Sequence, residues 1–196
     1  LVSTLLIFLI TSSGRILAEL FFDFETVGIY SFYFRLAAVV VMIYQVVSIS
    51  FFKDLYILEP LKLDKYYYKF FIFIYALSIL IFFVAPYIVG PLSAYFSQTY
   101  LIYKNTYFLL SCQMVVWIAT ALNSNIIDRE NLAPKNNIKF VGLLILALSA
   151  FYLFKNKLDL QTMVFLHYSV LLLACLIQYY SLSKKKIIFK KSYFTI

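Results

Sequence analysis

Two arginines, Arg15 and Arg35, stand inside long apolar runs on either side of a short acidic link, Asp23-Phe24-Glu25-Thr26. An ionisable side chain at membrane depth costs about 2.5–3.5 kcal/mol on insertion scales, so its retention points to function. Arginine suits an anionic ligand because its planar fork can hold two phosphate or carboxylate oxygens at once. Glu19 follows Arg15 by four residues and so shares its helix face. Three further polar side chains fall within apolar runs in the same half of the chain's depth: His167, Gln113 and Glu19 itself, the last nearer the surface. At 1.5 Å of rise per residue, Arg15, Arg35, Gln113 and His167 all lie roughly 9–12 Å from the outer ends of their runs. Four polar side chains from four segments therefore share one layer, which makes Arg35, Arg15, Glu19, Gln113 and His167 the candidate substrate-binding residues.

Two accounts of that layer are open. In one, Arg15 pairs with Glu19 and Arg35 snorkels to the interface. In the other, a water-filled cavity of net positive charge accepts an anionic headgroup. His167 alone is more often a packing histidine than a proton relay. Gln45, Asn123, Asn125 and Gln178 lie deeper, where interhelical hydrogen bonding is the default.

The elements that position these residues follow from composition. Of 196 residues, 64% are hydrophobic and 13% charged, and the mean hydropathy is +0.89. Soluble domains average about 45–50% apolar and about 25% charged, so the chain reads as an integral membrane protein. A spanning helix needs about 20 mostly apolar residues. Six stretches qualify: residues 1–22, 27–52, 67–89, 107–127, 138–154 and 160–182, with a basic tail over 184–196. The runs are continuous, without the period-2 alternation of a membrane barrel. The fold expected is an all-α six-helix membrane bundle. Pro60 is expected to break the chain after the second span, and Pro86, Gly90 and Pro91 to end the third. Residues 53–66 and 90–106 are expected as links, with the aromatic segment 93–103 in the interface.

Charge sets orientation. Twelve of the 17 Lys and Arg lie in the 53–69 region, the 129–139 region and the tail; Lys104, Lys155 and Lys157 lie on the other side. The positive-inside rule then places both ends of the chain in the cytoplasm. The net charge of +8 reads as topology and anionic headgroups rather than nucleic acid. Asp128, Arg129 and Glu130 read as a solvated turn. Cys112 and Cys175 lie in apolar runs without CxxC spacing and read as packing residues. No HExxH, GxSxG or P-loop occurs, so neither an enzyme nor any cofactor or metal is expected. The chain begins at Leu1 in an apolar run, without the basic region and cleavage site of a signal peptide, and is read as the later part of a longer protein.

The segment Val27-Gly28-Ile29-Tyr30-Ser31, preceded by an intramembrane arginine and an acidic link, resembles the second half of polysaccharide-repeat flippases. These are the O-antigen and capsule exporters of the multidrug/oligosaccharidyl-lipid/polysaccharide exporter superfamily. Gly14-Arg15 stands where that family has Asp-Arg. Phe51-Phe52-Lys53-Asp54-Leu55-Tyr56 and Ala85-Pro86-Tyr87-Ile88 resemble later segments. The resemblance implies a transporter of twelve or more spans, of which this chain is the C-terminal six-helix half. It implies a bacterial inner-membrane protein that flips an undecaprenyl-pyrophosphate-linked oligosaccharide for surface polysaccharide assembly. Arg15 and Arg35 would then meet the pyrophosphate or an acidic sugar. The partners implied are the lipid-linked oligosaccharide, membrane lipids, the N-terminal six-helix half, a polysaccharide polymerase and a chain-length regulator. A cation-coupled drug or metabolite exporter of the same superfamily, and a membrane glycosyltransferase or polymerase, are the alternatives.

Overall fold

A computed structural model describes residues 2–92 and 103–185. All regular structure there is helical: α1 (Val2–Phe21), α2 (Phe24–Ile57), α3 (Pro60–Leu92), α4 (Lys104–Arg129), α5 (Ala133–Phe154) and α6 (Leu160–Lys184), with a 3-10 turn at Lys155–Lys157 before α6. Each of the six is long and apolar enough to cross a membrane. The chain is thus an all-α, multi-pass membrane protein, as its hydropathy requires. The interfacial segment expected over 93–103 and the end of the basic tail fall almost wholly outside the described residues.

Helix ends follow local chemistry. Asp23 caps α2 by accepting the Thr26 amide on Oδ1 at 2.8 Å, and Asp159 caps α6 through Thr162 at 2.9 Å. These bonds neutralise orphan amides of the first turn. They also hold both carboxyls below the usual carboxylate range, with the Thr26 and Thr162 contacts as the leading causes. α4 ends in a Schellman arrangement: the Leu132 amide reaches the Ile127 carbonyl at 2.9 Å and the Asn131 amide reaches Asp128 at 3.2 Å. Asn131 supplies the left-handed conformation, φ 55°, that this cap needs. Asn is among the side-chain-bearing residues that tolerate it best. The 128–130 charge cluster is therefore a helix terminus, with Arg129 and Glu130 paired at 3.2 Å.

Two expectations are corrected. Residues 53–66 are not an open link: α2 runs on through Lys53 to Ile57 and α3 starts at Pro60. Pro60 sits where its missing N–H costs nothing, in the first turn, so only Leu58-Glu59 is non-helical. Nor does Pro86 end the third helix, which continues through Pro91 to Leu92. Proline in a membrane helix removes one hydrogen bond but need not stop the chain, because neighbouring groups re-satisfy the backbone.

α4 is the axis of the bundle. It packs most extensively against α6 and α2, and also touches α3 and α1; α1 closes the ring against α6, α5 and α2. The reason lies in its composition. α4 has the lowest mean hydropathy of the six spans and is 67% buried, whereas α3 is 7% buried and α5 22%. Lipid tails are as apolar as leucine, so apolar surface alone gives helices no reason to associate; close packing and polar side chains do. Thr106, Gln113 and Thr120 recur every seven residues along α4, Asn123 follows one turn on, and all four are buried. They meet a seam of α6 that carries Leu160, His167, Leu171, Ala174 and Gln178, also buried. α3 and α5 instead turn Ile72, Ile79, Phe83, Leu146, Tyr152 and Leu153 outward.

Candidate functional site

The five sequence-derived residues separate into two places. Gln113 and His167 meet in the interior; Arg15, Glu19 and Arg35 lie on the surface of the α1–α2 hairpin.

The interior group is built where α1, α2, α4 and α6 converge. His167 is 1% exposed. Its Nε2 stands 2.9 Å from the Ile10 carbonyl oxygen of α1, an acceptor, so Nε2 carries the proton. Ser13 Oγ lies 3.1 Å from the same nitrogen and donates its own proton to the Ile10 carbonyl at 3.2 Å. The opposite nitrogen, Nδ1, faces Gln113 Nε2 at 2.9 Å. An amide nitrogen only donates, so Nδ1 accepts. The imidazole is therefore the neutral Nε2–H tautomer, bonded on both sides. Gln113 Oε1 and the Tyr30 hydroxyl are buried with no hydrogen-bond partner among the described residues.

Gly14 makes this convergence possible. A Cβ there would stand 2.6 Å from the Tyr30 hydroxyl oxygen and 2.7 Å from His167 Nδ1. α1 can lie against the tyrosine and the histidine only because position 14 has no side chain. Ser13, Gly14 and Tyr30 were not among the residues picked from sequence. A glycine between Ser13 and Arg15, in mid-span, was the available signal: a helix-interior glycine costs about 1 kcal/mol relative to alanine and asks for a packing reason.

Beside it, on the outside of the hairpin, Arg15 Nε binds Glu19 Oε1 at 2.9 Å, with the two side chains 65% and 51% exposed. The pair forms one wall of a groove of about 410 Å³ whose other residues include Phe22, Val27, Gly28 and Ser31. Gly28 and Ser31 line the groove from α2, and Arg35 follows Ser31 by four residues on that flank. Arg35 is exposed, and no ion pair to it occurs among the described residues. The hairpin thus presents a paired arginine and an unpaired one along one open face.

No family model, curated protein or solved structure matches the chain. Among the described residues, no group of three or more His, Cys, Asp or Glu side chains lies close enough to hold a metal ion. Cys112 and Cys175 are both free thiols; the latter receives the Asn123 amide at 3.8 Å. The deeper polar residues divide. Asn123 bonds across the α4–α6 seam, but both amide atoms of Gln178 are buried without a partner among the described residues.

Proposed function

We propose that this chain is one wall of a bacterial inner-membrane transporter that flips an undecaprenyl-pyrophosphate-linked oligosaccharide for surface polysaccharide assembly. The supporting observation is the open α1–α2 face, where an exposed Arg15–Glu19 pair lines a groove within the spans and an exposed Arg35 follows one turn beyond Ser31. Glu19 offsets Arg15 within the groove, so the positive charge that favours an anionic cargo is that of Arg35, one turn beyond Ser31 on α2. The groove's carboxylate is already engaged by Arg15, which counts against a cationic drug as cargo. The resemblance of residues 27–31 to the polysaccharide-repeat flippases points the same way.

In this reading the groove is half of a cavity, whose opposite wall is a second six-helix bundle supplied by the N-terminal part of the protein. Both ends of this chain lie in the cytoplasm. The cargo's diphosphate binds Arg35, while Glu19 tempers Arg15. The cargo comes from lipid-linked sugar synthesis and passes to a polymerase and chain-length regulator. The test is complementation with the full-length protein. Arg35→Ala should abolish surface polysaccharide at unchanged protein level. Arg35→Lys should restore part of it if charge suffices, and none if the bidentate fork is needed. Normal surface polysaccharide in the alanine variant would end the arginine reading. Metal-dependent sugar transfer by the purified protein would replace transport with glycosyltransferase chemistry.

A further inference from the structure

A second basic site lies at the opposite end of the bundle, on the seam between α5 and α6. A cavity of about 380 Å³ there is lined by Leu132, Lys135, Lys139, Tyr180, Ser181, Lys184 and Lys185. Four of the seven residues are lysines and none is acidic. Lys139 is held in place: its Nζ donates to Ser181 Oγ at 3.1 Å and stands 5.7 Å from the centroid of the Tyr180 ring. Ser181 in turn donates to Asn136 Oδ1 at 3.2 Å, which ties the two helices together under the cavity. The cavity also opens at the start of α5, whose first turn has no side-chain cap. Uncapped amides at a helix start add positive potential and donors for an anion.

What lies below the lysines identifies the ligand class. The cavity sits where the spans Ala133–Phe154 and Leu160–Lys184 end, at the level of lipid headgroups. One turn below Lys139 on α5 comes Gly142, where a Cβ would meet nothing within 4 Å, and then Leu146, which is exposed. On α6, Leu176 and Leu173 are exposed below Tyr180. A cluster of cations thus stands above exposed apolar faces of α5 and α6. A soluble anion would use only the first of these features; an anionic phospholipid would use both.

We propose that the α5–α6 seam is a binding site for an anionic membrane phospholipid, its phosphate among Lys135, Lys139, Lys184 and Lys185 and an acyl chain along the open face of α5 at Gly142. The site is separate from the α1–α2 groove and does not depend on the identity of the cargo.

The experiment uses the full chain in nanodiscs of zwitterionic lipid titrated with cardiolipin, with retained lipid counted by native mass spectrometry. Wild type should retain cardiolipin in preference to the zwitterionic lipid. The double variant Lys135→Gln/Lys184→Gln removes two cavity charges that make no ion pair among the described residues, and should weaken retention about 30-fold. The control Lys53→Gln/Lys65→Gln removes two exposed charges from the helices α2 and α3, elsewhere on the protein's basic side, and should stay within about twofold of wild type. Gly142→Leu puts a bulky side chain on that open face without changing charge and should also reduce retention. Equal loss in the cavity and control variants would overturn the site in favour of diffuse surface charge. Displacement of cardiolipin by equimolar inorganic pyrophosphate, or unchanged retention in Gly142→Leu, would overturn the lipid assignment.

Discussion

Replacing Gly14 by alanine sets two effects of known sign against each other. Alanine in a helix interior is favoured over glycine by about 1 kcal/mol, so a helix free of neighbours would be stabilised. Here the new Cβ would stand 2.6 Å from the Tyr30 hydroxyl and 2.7 and 2.9 Å from His167 Nδ1 and Cε1, where ordinary contact begins at 3.4 Å. Neither neighbour can swing into open space, since both residues are 1% exposed. Overpacking of this kind costs about 1–3 kcal/mol. His167 is pinned by Ile10 and Gln113, so moving it also sacrifices at least one hydrogen bond, about 1 kcal/mol. The steric side wins, and Gly14→Ala should destabilise the bundle by about 1–3 kcal/mol net. Trp117, the single tryptophan, packs against the core from α4 and reports unfolding in mixed micelles by its fluorescence. Tyr30→Phe alone should be close to neutral, because the hydroxyl it removes has no partner. In the Gly14→Ala background the same change relieves the closest contact and should recover about 1 kcal/mol. A Gly14→Ala protein within about 0.5 kcal/mol of wild type, or a double mutant without coupling, would refute the close approach of α1.

Gln178→Met keeps the shape of a fully buried side chain while removing two polar atoms that have no partner. It should raise stability by about 1–2 kcal/mol in the same fluorescence assay, and a loss would show that the amide is satisfied by something at the seam. The helix caps predict a pH dependence. Asp23 and Asp159 are held below their ordinary value of 3.8, so the stability they contribute is present above that value and is lost as pH falls through the lowered one. Asp159→Asn can still accept the Thr162 amide but does not titrate. Its stability should therefore fall less than wild type between pH 5 and pH 3, and equal slopes would dismiss the cap as the titrating element.

Much of the fold was legible because membrane insertion leaves few options. Six apolar runs of spanning length could only become six helices, and their order and approximate ends follow from length alone. One error came from reading 53–66 as a link, although α2 and α3 leave only Leu58-Glu59 non-helical there. The other came from taking Pro86 as a stop; it rides inside α3, because a membrane helix tolerates a missing backbone bond. Depth counting correctly put Gln113 and His167 at one level. It could not separate them from Arg15 and Arg35, because rise per residue fixes height and says nothing of azimuth. Azimuth was readable in one place. Thr106, Gln113 and Thr120 repeat at seven on the least apolar span, which marks the face of α4 that must be buried. The contacts of Gly14 were out of reach of sequence, since a single glycine signals close approach without naming what approaches.

The bond from His167 to the Ile10 carbonyl joins α1 to α6, across 157 positions of chain. During synthesis α1 enters the membrane long before its partner exists. Until α6 emerges, Gln113 lacks the imidazole it donates to, and Gly14 lies against no ring of α6. The polar face of α4 must wait in the bilayer as well, because its main partner is also α6. A chain stopped before residue 160 would thus hold α1 to α5 without the helix that closes them. Assembly of this bundle waits on the arrival of α6.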